Sequence, residues 1–114
     1  MITIYHNPRC GKSRQTLSLI QEAGQEPQII EYLKTPPTAT ELDSLLKKLK
    51  MEPRELMRKG EDIYRELKLA EKELSRDEAI ELMIAHPKLI ERPIVVKGRQ
   101  AVLGRPPENV NALL

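Results

Sequence analysis

Cys10, the only cysteine of the chain, is the residue best suited to chemistry. It is expected in the turn between a strand that ends near Tyr5 and the helix that follows, so its thiol would lie at the positive end of the helix dipole. Arg9, Lys12 and Arg14 add positive charge nearby. Helix N-termini and cations both stabilise a thiolate, so the pattern indicates a nucleophilic cysteine. The alternative, a buried cysteine that packs as a small apolar side chain, fits poorly in so polar a turn.

Known motifs come close to this segment without fitting it. In the nucleotide-binding P-loop, the first glycine would fall on His6. Cysteine phosphatases carry an arginine where this chain has Thr16. A dithiol C-x-x-C motif needs a second cysteine at the position of Ser13. The lone thiol therefore cannot close an internal disulfide, and a metal site built from cysteines alone is excluded.

Three arginines at predicted element boundaries form a second candidate group. Arg92 directly precedes a predicted buried strand, Arg105 ends the last strand, and Arg58 ends a short helix. The planar guanidinium group binds tetrahedral oxyanions through paired hydrogen bonds. For Arg58 alone, a solvated surface charge is the simpler interpretation. Arg92 and Arg105 both border the sheet edge at which Cys10 is expected, which favours an anion site there.

His6 has two open interpretations. It lies four residues before Cys10, so it hydrogen-bonds the thiolate or its turn, or it only caps the preceding strand. The sequence alone does not choose between these roles.

The composition of the chain limits its classes of function. The chain has 114 residues, and its 19 Lys and Arg against 17 Asp and Glu give a net charge of +2, too balanced for bulk nucleic-acid or membrane binding. No apolar run approaches the roughly 20 residues of a membrane span, and no secretory signal is visible. We therefore expect a cytoplasmic monomer with neither a nucleic acid nor a membrane as partner.

The elements that must position these residues start with a βαβ unit. Residues 2–5 alternate in hydrophobicity as a strand, and a helix that starts at Cys10 ends at Gly24. Residues 28–32 are predicted as a second strand. A strand, a helix and a strand in this order predict a parallel pair.

A helical block and then a hairpin are predicted for the rest of the chain. Thr38 and Ser75 each begin a capping box, and each box precedes a helix with one apolar face. Residues 93–96 and 101–103 are predicted as hairpin strands, and Pro106-Pro107 opens a final helix.

This layout predicts an α/β fold with a mixed sheet of about four strands. We expect a single domain over residues 1–114 with a helical insertion at about 36–88, and thioredoxin-like folds have this layout. In such a fold Pro93 is expected to be cis, beside the nucleophile.

Blocks along the whole chain make it similar to the glutaredoxin-coupled arsenate reductase family. This family is thioredoxin-like and related to the RNA-polymerase-binding stress regulators of the same fold. The segment Ile4-Tyr5-His6-Asn7-Pro8-Arg9-Cys10, followed by Ser13-Arg14, resembles the family's active-site segment. The later matching blocks, in family order, are Glu31-Tyr32-Leu33, Leu56-Met57-Arg58-Lys59, Arg92-Pro93-Ile94-Val95-Val96 and Gly104-Arg105-Pro106-Pro107.

The resemblance implies a role for each candidate. Cys10 would be the catalytic nucleophile, and the three oxyanion-binding residues would be Arg58, Arg92 and Arg105. His6 would lie near the thiolate, and Ser13 would hydrogen-bond it. The supporting residues are His6, Ser13, Arg14 and Pro93.

The resemblance also implies a reaction. The thiolate would attack arsenate and form a Cys–arsenic adduct, glutathione would attack next, glutaredoxin would resolve the product, and arsenite would leave. No bound cofactor and no metal are implied, because glutathione is the reductant. The physical logic agrees, since a thiolate that attacks an anion needs positive charge to offset the repulsion.

Two other functions stay open at this point. One is a glutathione-dependent thiol reductase with a different substrate. The other is a transcription-interaction protein of the same fold, whose stress-sensing members carry a C-x-x-C motif that Ser13 interrupts here.

Overall fold

The structure, a computed structural model, describes residues 1–114 and divides into two compact units. The sheet unit comprises Met1–Thr35 and Arg92–Leu114, and the helical unit comprises Pro36–Glu91. The predicted insertion at 36–88 falls within the helical unit, and its description as an insertion in a single domain stays a prediction.

The sheet has four strands, β1 (Ile2–His6), β2 (Gln28–Glu31), β3 (Ile94–Lys97) and β4 (Gln100–Leu103). They lie in the order β2-β1-β3-β4. β1 is parallel to β2 and antiparallel to β3, and β3 is antiparallel to β4. The predicted mixed sheet of four strands and the parallel βαβ pair are therefore confirmed.

One apolar cluster forms the core of the sheet unit. Helix α1 (Gly11–Glu22) follows β1 and buries Ile20 against it. Gly24, at φ +82, lies directly after the helix cap, as predicted. Full burial of one such aliphatic side chain stabilises the fold by about 1.5–3 kcal/mol. The buried members of the cluster are Ile2, Ile4, Ile20, Val95, Val110 and Leu113.

The C-terminal helix differs in type from a regular α-helix. It is a 3₁₀ helix over Pro107–Leu113. Its buried residues are Pro107, Val110 and Leu113, spaced by three. A 3₁₀ helix has three residues per turn, so this spacing places all three on one face, against the core.

Both X–Pro bonds that follow the sheet-edge arginines are cis. The Arg92–Pro93 bond was predicted to be cis and is confirmed, whereas the cis Arg105–Pro106 bond was not predicted.

The helical unit contains α2 (Ala39–Leu49), α3 (Pro53–Leu56), α4 (Asp62–Glu66) and α5 (Arg76–Ala85). Both predicted capping boxes are present, at the first residues of α2 and α5. Helix α4 and the short 3₁₀ turns were not predicted, because so few residues carry no periodic signal. None of the helices is long and apolar enough to cross a membrane.

Candidate functional site

Cys10 is the N-terminal cap of α1. Its backbone is extended, at φ −94 and ψ 123, and its carbonyl accepts the Arg14 N–H at 3.0 Å. Its own N–H donates to the Asn7 carbonyl at 3.0 Å, which closes the turn after β1. Its half-exposed side chain makes no capping hydrogen bond. The sulfur atom thus lies at the positive end of a twelve-residue helix and is not used to cap that helix.

Side chains hold the turn before Cys10 in place. The Asn7 Oδ1 accepts the Arg9 N–H at 3.0 Å, and Arg14 Nη1 donates to the Pro8 carbonyl at 3.0 Å. The Arg14 guanidinium is therefore fixed against the turn, which is consistent with the supporting role predicted for it. Sequence analysis missed Asn7, although an Asn-Pro pair is a known turn signal.

His6 and Ser13 form a buried pair beneath this turn. The His6 Nδ1 and the Ser13 Oγ lie 2.6 Å apart, and Ser13 Oγ also accepts the Asn7 N–H at 3.0 Å. His6 is 6% exposed and Ser13 is 0% exposed. Of the two interpretations of His6, the structure favours a link to the turn before Cys10, which is made through Ser13 of α1 and not by His6 directly. A direct bond from Ser13 to the Cys10 sulfur stays a prediction.

Burial lowers the pKa of His6 below its usual value, and Arg14 lowers it further. The carboxylate of Glu31, which lies opposite His6 in the β1–β2 register, opposes this and raises the pKa. His6 is therefore neutral at pH 7. A neutral ring that accepts the Ser13 hydroxyl proton at Nδ1 satisfies the pair, because Asn7 already donates to the Ser13 oxygen.

The lowered pKa of His6 predicts a loss of stability in mild acid. The unfolded chain takes up a proton at His6 as the pH falls through about 6.5, while the folded chain takes it up only at lower pH, so the free energy of unfolding decreases as the pH falls through that range. We expect His6→Asn to lose less stability than the wild type between pH 7.5 and 5.5, measured by urea denaturation. An unchanged pH dependence in His6→Asn would contradict the assignment.

Strand register places the segments that carry Cys10, Arg92 and Arg105 at one edge of the sheet. Tyr5 near the end of β1 pairs with Ile94 at the start of β3, and Ile94 pairs with Leu103 at the end of β4. The chain therefore leaves β1 towards Cys10, enters β3 from Arg92 and leaves β4 towards Arg105 at the same edge. This is the arrangement that the sequence predicted.

Arg92 and Arg105 are also in contact with each other. Arg105 Nη1 donates to the Arg92 carbonyl at 3.5 Å, and the Gly104 N–H donates to the Pro93 carbonyl at 3.0 Å. Both arginines are half-buried, and Arg92 Nε and Nη1 are shielded from solvent. Two guanidinium groups held in partly desolvated positions attract an anion more strongly than solvated ones.

Arg58 belongs to the helical unit and forms ion pairs with two carboxylates there. Its Nη1 lies 2.9 Å from Glu61 Oε1, and its Nε lies 3.4 Å from Glu91 Oε1. Its N–H donates to the Leu89 carbonyl at 2.7 Å, and its side chain is 27% exposed. The positive charge of Arg58 is therefore offset by two carboxylates of its own unit. The sequence did not indicate the pair with Glu91, because Glu91 is distant along the chain.

The chain contains no group of three or more His, Cys, Asp or Glu side chains arranged to hold a metal ion.

Comparisons with known proteins agree with the predicted family. The model of the ArsC family matches residues 5–113. The YfgD protein of Escherichia coli K12 is 54% identical over 110 residues, which cover 96% of this chain and 92% of that protein. The arsenate reductase of the same strain is 50% identical over 113 residues, which cover 99% of this chain and 80% of that protein.

Solved structures give the same result. The arsenate reductase from Vibrio cholerae superposes with a TM-score of 0.95 at 50% identity, over 99% of this chain and 97% of that one. The predicted thioredoxin-like α/β fold is therefore confirmed. Both the sequence and the fold show that the chain belongs to the ArsC family.

Proposed function

We propose that this protein is an arsenate reductase in which Cys10 forms a covalent adduct with arsenic, and that glutathione and glutaredoxin supply the electrons. The observation that carries the proposal is the position of Cys10. The half-exposed thiol of Cys10, the N-cap residue of α1, lies at the sheet edge where the Arg92 and Arg105 segments also lie. The arsenate reductases that are about 50% identical to this chain support the choice of substrate.

The proposed reaction is the one that the resemblance to the family implies, and it needs only the single sulfur of Cys10 and outside thiols. The Cys10 thiolate attacks arsenic(V) and displaces hydroxide, which leaves as water. Glutathione then displaces a second hydroxide and forms an As–S bond. The glutaredoxin thiolate attacks the glutathione sulfur, so the As–S electron pair stays on arsenic, which becomes arsenic(III). Hydrolysis of the Cys10–arsenic bond releases arsenite and regenerates the thiol, and the oxidised product is a mixed disulfide of glutaredoxin and glutathione.

The positive charges have distinct tasks in this proposal. Arg92 and Arg105 bind the arsenate oxygens and offset the repulsion between a thiolate and an anion. Arg58 is proposed as the third oxyanion ligand, as in the family motif, although its guanidinium is paired with Glu61 and Glu91 in this structure.

His6, Ser13 and Arg14 do not contact the substrate in this proposal. Their bonds hold the turn from which Cys10 projects. Loss of these bonds would let the Cys10 sulfur move away from the position in which it attacks arsenic.

Exposed cations around Cys10 favour the approach of the glutathione thiol. Arg9, Lys12 and Arg14 are exposed on the turn and the first helical residues. They suit the carboxylates of glutathione, which has a net negative charge. The proposal places the reaction in the cytoplasm, where glutathione is kept reduced.

Turnover with defined reductants tests the proposal. The purified protein is given arsenate with either glutathione and glutaredoxin or thioredoxin and its reductase, and arsenite is measured. We expect multiple turnovers with the first system and none with the second, because Cys10 has no second cysteine with which to form a disulfide for thioredoxin to reduce.

Each other outcome has a clear meaning. Efficient turnover with thioredoxin alone would overturn the glutathione route. No arsenite with either system would overturn arsenate as the substrate and favour a thiol reductase of another substrate or an interaction protein.

A further inference from the structure

Gly104 occupies a place in which no side chain fits. A Cβ atom at this position would lie 2.4 Å from Thr16 Oγ1, 2.7 Å from Pro93 Cγ and 3.1 Å from Thr16 Cγ2. Gly24 and Gly98 have positive φ angles, but Gly104 does not. The requirement for glycine at position 104 is therefore one of space and not of backbone conformation.

Three segments of the sheet unit meet at Gly104. Thr16 lies on α1, is fully buried, and donates from Oγ1 to the Lys12 carbonyl at 2.8 Å, so its side chain is held in one orientation. The Gly104 N–H donates to the Pro93 carbonyl at 3.0 Å. Gly104 thus packs against the helix that Cys10 caps and is bonded to the segment that follows Arg92.

These contacts couple both arginines to α1. Arg105 directly follows Gly104, and Arg92 directly precedes Pro93. Ordinary van der Waals contact begins at 3.4 Å, so a methyl group on Gly104 requires a displacement of about 1 Å from Thr16. The bond to Pro93 transmits this displacement to the second segment. A misplacement of about 1 Å in a reacting geometry can reduce a rate by roughly a hundredfold.

We propose that Gly104 and Thr16 are positioning residues, whose close contact sets the places of Arg92 and Arg105 relative to Cys10. The inference rests on the proposed function, in that it takes these two arginines as ligands of the oxyanion. Neither Gly104 nor Thr16 carries charge, so both act through the arginines.

The test measures anion binding separately from turnover. Cys10 is alkylated with iodoacetamide in rising concentrations of arsenate without reductant, and the half-protecting concentration is determined. For Gly104→Ala we expect this concentration to rise about ten- to a hundredfold, while the alkylation rate without anion stays within about twofold of the wild type. In turnover, the KM for arsenate should rise more than kcat falls.

Two further variants distinguish the misplacement of Arg92 and Arg105 from a general loss of structure. Thr16→Ala removes both Thr16 atoms that the new methyl group would meet, whereas the contact with Pro93 Cγ at 2.7 Å remains, so the double variant Thr16→Ala/Gly104→Ala should recover part of the protection that Gly104→Ala loses. Gly60→Ala is the matched control, because a Cβ there meets no atom within 4 Å. It should protect as the wild type does.

Wild-type protection in folded Gly104→Ala, or additive losses in the double variant, would overturn the inference. If Gly104→Ala does not fold, the double variant decides. A folded double variant that arsenate protects, even if more weakly than Thr16→Ala, supports the inference, and a double variant that is unfolded or that arsenate does not protect overturns it. A wild type that arsenate protects but that produces no arsenite contradicts the proposed function alone. A wild type that arsenate does not protect overturns the inference as well.

Discussion

Cys10→Ser should produce no measurable arsenite with glutathione and glutaredoxin. A serine hydroxyl is a weak nucleophile at neutral pH without a base to activate it, and the chain has no other sulfur that forms the adduct. Removal of a nucleophile lowers kcat by roughly 10⁴- to 10⁶-fold in well-studied enzymes, so the residual rate should be indistinguishable from that of glutathione alone.

The matched control for this variant introduces a thiol at a different position of α1. Ser18 is exposed on α1, beyond the first turn. Cys10→Ser/Ser18→Cys should be folded and should stay inactive, because its thiol is far from the helix N-terminus and from the sheet edge. Turnover above one hundredth of the wild-type rate in Cys10→Ser, on the scale of roughly 10⁴-fold loss given above, would exclude Cys10 as the nucleophile. Such turnover in the double variant alone would contradict the requirement for a thiol at the helix N-terminus.

Arg92→Ala and Arg105→Ala should each lower kcat/KM for arsenate by about thirty- to several-thousandfold. Loss of one partner of a buried charged hydrogen bond costs about 2–5 kcal/mol, and about 1.4 kcal/mol corresponds to a factor of ten. The two side chains are half-buried at the sheet edge from which the chain leads to Cys10. Water therefore cannot easily substitute for their hydrogen bonds to the anion. Lysine variants should recover only part of the loss, because an ammonium group cannot form the paired bonds of guanidinium.

Arg58→Ala should have a smaller effect than either. Its guanidinium is already bonded to Glu61 and Glu91, so binding an oxyanion requires exchange of these partners, and less free energy is gained from the contact. The same kinetic measurement, together with protection of Cys10 from alkylation by arsenate, orders the three variants. Wild-type kinetics in Arg92→Ala or Arg105→Ala would remove that residue from the site, and a larger loss in Arg58→Ala would reverse the order.

Much of the fold could be predicted because the signals are local. Thr38 and Ser75 start helices through bonds to residues three positions later, and the sequence shows both partners. The strand β1 alternates in hydrophobicity, and Gly24 marks the end of α1. Helix α4 was missed because five residues are too short to show a period, and the final helix proved to be 3₁₀.

The residue types of the candidate site could be predicted from the sequence, whereas the contacts between them could be predicted only in part. The segments of Cys10, Arg92 and Arg105 could be placed together because strand order brings them to one edge of the sheet. The bond between His6 and Ser13 was not predicted, because it depends on how the turn folds back beneath Cys10. The approach of Gly104 to Thr16 could not be predicted, since nothing in a single sequence marks two residues so far apart as neighbours.

The pairing of β1 with β3 also constrains the order in which the protein folds as it is synthesised. Ile4 pairs with Val95, so this contact closes a loop that includes the whole helical unit. Closing a loop of this length carries an entropic cost that shorter pairings avoid, and no ribosome can deliver β3 before the whole helical unit has been made. The nascent chain therefore presents the Cys10 thiol well before Arg92 and Arg105 exist. In the proposed function, the oxyanion site forms only after Arg105 has been made, when the thiol and the two arginines first lie at the same sheet edge.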